Sequence, residues 1–409
     1  MVNIYPNDWS LVLLKQNPFP NTPPRRPEDA VWAGFKDLKE QLNRLFVEAL
    51  ASPRTQIVLG RGEYGSGKTH AATYSRRQDY LNDFKKFQRV KGVDVYYVRV
   101  PKEPEKADML FYRNIIEAVQ FRRLRSVIKE IIAIYTPQVA LERLQELTGS
   151  EALGKALWLL GFEKERGGQL QLFQDDNSSN EQQKLLESYF FSQTTKSDLK
   201  KLGLSRDISS TQDRFHTLGC LLQCLIGLEP VEDIEAHRRI ILWVDEMEDL
   251  INYPSRYHKP FMQGLRDLFD RLPDYFTIVM NFTLASPDYA TEIEIVAGQG
   301  FRDRITHQIY FREPSEEEAF EYVRELLEYY RTEQPELRGL PNVYPFDEEA
   351  LRTLIDDLGS RTPRDINQRC ADVITEAFQK GLITAPGQGI ISKEFVRSVE
   401  DKRIGAELV

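Results

Sequence analysis

Five short apolar runs set the rhythm of this chain: "TQIVLG" at 55–60, "DVYYVRV" at 94–100, "RIILWV" at 239–244, "FTIVMNF" at 276–282 and "HQIYF" at 307–311. Each has the length and branching of a buried strand. They read as continuous apolar runs rather than polar–apolar alternation, and helical sequence separates them. That pattern predicts an α/β fold with a five-stranded parallel sheet covered on both faces. Ahead of the first run, the spacing of "WAGFKDLKEQLNRLFVEAL" predicts an amphipathic helix over 31–51. Residues 1–30, rich in Pro and Asn ("NPFPNTPPRRPEDA"), predict an extended arm.

The connection between the second and third runs, about 101–238, far exceeds what one crossover helix needs. "FYRNIIEAVQFRRLRSVIKEIIAIY", "PQVALERLQELTG" and "EALGKALWLLG" are helical in pattern, and "QLQLFQDDNSSNEQQK" is polar and loop-like. "SDLKKLGLSRDISSTQDRFHTLGCLLQCLIGL" returns to the sheet. The whole connection predicts a helical insertion in a core of 31–312. After Pro314 only helical patterns remain, opening on Ser315 with Glu318 three positions on, a capping box. Residues 313–409 therefore form a separate helical domain.

Between the first strand and the next helix lies "GEYGSGKTH", residues 62–70. Gly62, Gly67, Lys68 and Thr69 meet the phosphate-loop pattern G-x-x-x-x-G-K-[ST]. Backbone N–H groups wrap a phosphate chain only where no Cβ intrudes and φ can be positive, which asks for Gly62, Gly65 and Gly67. The expected contact set is Gly62, Glu63, Tyr64, Gly65, Ser66, Gly67, Lys68, Thr69 and His70. Lys68 would reach the outer phosphates and the Thr69 hydroxyl would ligate Mg²⁺. "IILWVDEMEDL" delivers Asp245 and Glu246 at the C-terminal end of a strand, where parallel sheets bind ligands. Asp245 would hold the cation through water and Glu246 would polarise the attacking water. Glu248 and Asp249 lie close by, but adjacency to the strand end favours Glu246. In "IVMNFTLASPD", Asn281, with Thr283 second, is the candidate for orienting that water. Arg302 and Arg304 in "GFRDRITHQIYF" are candidates for a guanidinium supplied to a neighbouring subunit. Arg364 in "SRTPRDINQ", at the start of a helix with Pro363 in its first turn, would reach phosphates from the C-terminal domain.

Charge changes the picture modestly. The net charge of −9 hides an asymmetry: residues 1–130 carry 23 Lys and Arg against 15 Asp and Glu, and the rest 31 against 48. A polarised chain could lay its basic half on DNA, although charge runs more often form solvated helix faces. Three cysteines cannot all pair. Cys220 and Cys224, one helical turn apart among apolar neighbours, read as buried small side chains rather than metal or redox groups. No apolar run has the 18 or so residues needed to cross a bilayer, and "MVNIYPNDWS" lacks an export signal, so a cytoplasmic chain is expected.

Taken in order, "GEYGSGKT", "ILWVDE", "IVMNF", "GFRDRI" and "TPRDIN", followed by a helical lid, resemble an AAA+ ATPase. The resemblance covers 31–409 apart from the insertion. It is nearest the initiator-type clade of replication initiators and the transposition regulators TnsC and TniB. "LKKLGLSRDISSTQDRFHTLGCLL" before "WVDEMEDL" is also similar to P-loop ATPases of BREX-type phage-defence loci. The resemblance implies ATP and Mg²⁺ as ligands and a homo-oligomeric ring or filament with active sites between subunits. It also implies nucleotide-controlled binding to DNA or a partner protein. The insertion, and the absence of a recognisable winged helix after the lid, depart from simple initiators. The leading expectation is an oligomeric ATPase switch on DNA-linked machinery in transposition, phage defence or replication. The alternative is a signalling NTPase whose insertion senses a protein or ligand without DNA. A scaffold that holds ATP without turnover is disfavoured by the intact Lys68, Asp245 and Glu246. Nothing beside the loop resembles the acceptor pocket of a small-molecule kinase.

Overall fold

The computed structural model describes residues 8–85, 90–162, 176–228, 234–283, 289–333 and 339–407. Five strands form one sheet: β1 Gln56–Gly62, β2 Gly92–Arg99, β3 Arg238–Asp245, β4 Phe276–Thr283 and β5 Ile305–Phe311. Their order is β2-β3-β4-β1-β5, and every pairing is parallel. All five apolar runs are strands, each within two residues of its expected start. The phosphate-loop strand β1 is thereby flanked by β4 and β5, while β3 lies one strand further across.

Side chains alternate through the sheet into two apolar layers. On one face Val58, Ile241, Trp243 and Val279 pack with α1 (Lys36–Ala51), α2 (Lys68–Tyr74) and α3 (Gln78–Lys85). On the other, Leu59, Leu242, Ile278 and Met280 meet α4 (Ala107–Val119), α10 (Thr211–Ile226) and α11 (Ser255–Arg271). Burial on both faces is what made the strands read as continuous apolar runs.

The long connection is therefore partly the sheet's own cover, because α4 lies on β2 and α10 on β3. Against these pack α5 (Phe121–Ile134), α6 (Pro137–Thr148) and α7 (Glu151–Gly161), with α8 (Asp176–Phe190) and α9 (Lys196–Leu202) completing the group. Two sequence expectations change here. The stretch expected as one helix through 121 breaks at Gln120, whose φ of 67° separates α4 from α5. Half of the expected polar loop is helical, since α8 begins at Asp176; the remainder of that stretch lies outside the described residues. Helix α1 also starts later than expected, at Lys36, after Gly34 and Phe35 take left-handed φ values of 56° and 47°.

Two short helices, α12 (Tyr289–Ala297) and α13 (Gln299–Arg302), precede β5. Then α14 (Glu316–Tyr330), α15 (Glu348–Asp356), α16 (Pro363–Gln379) and α17 (Lys393–Glu407) build the lid around their own core. The Ser315 hydroxyl accepts from Glu318 N, and the Glu318 carboxylate accepts from Ser315 N at 2.9 Å, so the capping box forms as read. The arm is bound into this lid. Val12, Leu13, Leu14 and Phe19 are buried in the lid core, and Lys15 N donates to Tyr330 O at 2.8 Å while Thr332 N donates to Leu13 O at 2.9 Å. Cys220, Cys224 and Cys370 are buried free thiols. Among the described residues no helix is long and apolar enough to cross a membrane.

Candidate active site

The loop after β1 does what its glycines permit. Gly65 and Gly67 take φ values of 82° and 99°, a left-handed region closed to most side chains. A Cβ on Gly62 would lie 2.4 Å from Phe311 O, so the close approach of β1 to β5 requires glycine there as well. Helix α2 begins at Lys68 but runs only seven residues. The loop rather than a long helix dipole is therefore the anion cradle.

Lys68 is buried against this loop. Its Nζ donates to Gly62 O at 2.8 Å and to Glu63 O at 2.7 Å. Burial, opposed by the charges of Glu248 and Asp245, lowers its pKa from 10.5 to about 8. The ammonium is thus held by two loop carbonyls and, at 3.4 Å, by the Ser66 hydroxyl, all of them neutral dipoles. One residue on, Thr69 Oγ1 donates to Asp245 Oδ2 at 2.6 Å, joining the loop to the end of β3 across the sheet. Asp245 also accepts from the Tyr97 hydroxyl at 2.9 Å, and Arg99 Nε donates to that hydroxyl oxygen at 2.8 Å.

Glu246 follows with φ of 60°, a left-handed value that costs energy for a side-chain-bearing residue. Its Oε1 lies 3.6 Å from Arg99 Nη1, and its buried Oε2 has no hydrogen-bond partner. Desolvation raises its pKa, against the lowering effect of Arg99 and Lys102. Glu248 faces the same space, its carboxylate accepting from Thr283 N at 3.0 Å.

These groups line one cleft of about 660 Å³ that reaches from the loop to the arm and the lid. From the core come Tyr64 to His70, Arg99, Asp245, Glu246 and Thr283; from the lid, Tyr330 and Arg364; from the arm, Pro18 and Pro20 to Arg25; and from the segment between the arm and α1, Val31 to Ala33. Arg364 stacks its guanidinium 3.9 Å above the centre of the Tyr64 ring. Thr362 caps α16, accepting from Asp365 N at 3.3 Å, and it sits directly on Gly65. His70 turns away from the phosphate side: its Nε2 is 2.8 Å from Val31 O, and burial lowers its pKa. It ties α2 to the segment that joins the arm to α1.

The structure thus brings together the loop, Asp245, Glu246 and Arg364. Asn281 lies deeper: it is 0% exposed, pairs across the sheet with Gly60 and presses its amide on that glycine. Neither of its amide atoms has a hydrogen-bond partner. Of the two candidates on β4, only Thr283 lines the cleft itself. Arg302 and Arg304 stand outside the cleft, where Arg302 pairs with Glu294 at 2.7 Å and Arg304 with Asp270 at 2.6 Å.

Sequence reading missed the arm as a cleft wall and the pair Tyr97 and Arg99. The arm carries no periodic pattern, so its burial shows only once the lid is folded. Tyr97 and Arg99 had a usable signal: they end the strand that runs beside "WVDE".

Fold and site together define an α/β protein with a phosphate loop at the C-terminal edge of a five-stranded parallel sheet. No protein-family model matches the chain, and no curated protein matches it. Among solved structures it is similar to the Aeropyrum pernix ORC2 protein in ADPNP–ADP complexes, with TM-score 0.47 and 12% identity over 91% of this chain and 70% of that one. It is also similar to the Aeropyrum pernix ORC1 protein in complex with DNA (TM-score 0.41, 12% identity, 92% and 69% covered). A Walker-type ATPase of Pyrococcus abyssi gives TM-score 0.40 and 14% identity, covering 96% and 78%. These overlaps are loose, and the class of site follows from the chain's own geometry.

Proposed function

We propose that the chain is an ATP-binding and ATP-hydrolysing switch of the AAA+ type that works as an oligomer. One observation carries this reading: a buried, partly desolvated Lys68 in a glycine loop, joined through Thr69 to the Asp245–Glu246 pair in a cleft that the lid closes.

The residues suit the chemistry expected of them. Lys68 would exchange the carbonyls of Gly62 and Glu63 for phosphate oxygens, replacing dipoles with full charges. Thr69 and Asp245 would hold Mg²⁺ together with phosphate oxygens, as that ion is bound by few protein ligands. When bound, the cation supplies charge neutralisation at the transferring phosphate. Glu246, with an unpartnered oxygen and a raised pKa, is placed to accept the proton of the attacking water. Asn281 or Thr283 would orient that water, and Arg364 would tie the phosphates to the lid. Arg302 and Arg304, outside their own cleft, are available to a neighbour's. The nucleotide's purine would lie near Val31 and Trp32, which line the cleft beside the arm.

For the partner we propose DNA or a DNA-linked complex in transposition, phage defence or replication, on the charge asymmetry of the chain. One observation favours the alternative, a protein or ligand sensed by the helices of 101–238. The basic cluster "FRRLR" is partly used internally, because Arg123 bonds Asp94 at 2.6 Å. Mass photometry of Glu246→Gln with ATP and Mg²⁺, with and without duplex DNA, separates these. Assemblies that grow on DNA support the first reading. Assembly indifferent to DNA supports the second, and a monomer throughout removes Arg302 and Arg304 from the mechanism.

A further inference from the structure

Asp245 is held from two sides, and only one of them belongs to the phosphate loop. Thr69 Oγ1 donates to Oδ2 at 2.6 Å and the Tyr97 hydroxyl donates to the same oxygen at 2.9 Å. Tyr97 lies on β2, which pairs with β3 so that Arg99 stands opposite Asp245. Val100 N donates to Asp245 O at 3.0 Å, fixing the backbone of the two strand ends together.

A phenol has one proton and two lone pairs. Arg99 Nε–H, 2.8 Å from the Tyr97 oxygen, fills one lone pair with a proton that cannot be lost. The single Tyr97 proton is then directed at Asp245. The χ2 torsion of an aspartate is broad, so one bond from Thr69 would leave the carboxylate free to rotate. The second bond stops that rotation. It keeps the Thr69 proton on Oδ2, which leaves the Thr69 lone pairs for a cation and Asp245 Oδ1 for a water of that cation.

We propose that Tyr97, oriented by Arg99, is a positioning residue that holds Asp245 for the divalent cation accompanying the nucleotide. The proposal rests on the ATP–Mg²⁺ reading of the cleft. Groups that orient a ligand from behind typically change metal affinity 10- to 100-fold when removed. Among the described residues the Tyr97 hydroxyl bonds Asp245 and Arg99 rather than the phosphate loop or the lid's Arg364, so nucleotide binding without metal is expected to survive its loss.

The test is the full chain as wild type, Tyr97→Phe and Arg99→Met, titrated with a fluorescent ATP analogue in EDTA and then with Mg²⁺ at fixed analogue. Melting temperatures are recorded alongside. The expected result is unchanged affinity in EDTA for Tyr97→Phe and a Mg²⁺ midpoint raised about tenfold. Arg99→Met should move that midpoint in the same direction. A Tyr97→Phe midpoint equal to wild type overturns the proposal. So does a loss of the same size in EDTA, or a lowered melting temperature with the midpoint unmoved; each marks Tyr97 as packing only. If wild type binds the analogue in EDTA yet shows no response to Mg²⁺, the cation site falls and this proposal with it. If wild type does not bind the analogue at all, the nucleotide reading itself has failed.

Discussion

Lys68 should make nucleotide binding take up a proton. In the nucleotide-free protein its pKa is about 8, lowered from 10.5 by burial. Phosphate oxygens bring negative charge to the ammonium and restore its charged form. At pH 7 Lys68 is about nine-tenths protonated before binding, so uptake is about 0.1 proton; at pH 8.5 it is about one quarter protonated, and uptake is about 0.75. The apparent Kd then rises about fourfold from pH 7 to 8.5 and about 30-fold by pH 9.5. The assay is calorimetric titration of ATP in two buffers of different ionisation enthalpy at each pH. The slope of apparent enthalpy against buffer enthalpy counts the protons. The same shift lets the nucleotide-free fold gain stability between pH 8 and 10.5, because the unfolded chain keeps a proton that the folded chain has lost. Zero uptake at pH 8.5, with a flat Kd from pH 7 to 9.5, would refute the idea that a desolvated Lys68 awaits the phosphates.

Three further outcomes follow from named contacts. Gly65→Ala should cost about 1–2 kcal/mol in the lid-closed form. Its φ is 82° and the new Cβ would meet Thr362 Oγ1 at 2.9 Å, so ATP should bind roughly tenfold more weakly in equilibrium titration. Asp94→Asn should destabilise the fold by about 1–2 kcal/mol in denaturant unfolding, since a buried carboxylate bonds both Arg123 and Arg238, whose guanidiniums are themselves partly solvated. Arg302→Ala and Arg304→Ala should leave ATP affinity unchanged, and the variant lacking the trans-acting guanidinium should lose turnover on the order of 10³-fold. Full turnover in both variants, read by phosphate release, would end the inter-subunit proposal.

The sheet and the loop were legible because each is encoded by neighbours in sequence. A strand buried on both faces reads as an apolar run, and the loop carries its glycines, Lys68 and Thr69 within eight residues. What escaped reading is held by distant contacts. The arm's Leu13 and Phe19 look like scattered apolar residues until Tyr330 and Thr332 of the lid are beside them. Gln120 gives no local sign of a left-handed turn, because the usual glycine or asparagine is missing there. The start of α8 is almost entirely polar, so no period marked it as a helix. Asn281 was readable as a strand-end amide, but not its depth, because its burial depends on Gly60 of the neighbouring strand β1, which is distant in sequence.

The central claim is that this cleft hydrolyses ATP with Glu246 as base. Phosphate release at saturating ATP and Mg²⁺, measured for wild type beside Glu246→Gln with bound nucleotide quantified in both, tests it most directly. Equal occupancy and a turnover lowered about 10²- to 10⁴-fold in the variant are expected. A wild type that binds ATP without releasing phosphate, or a variant that turns over as fast as wild type, would contradict it.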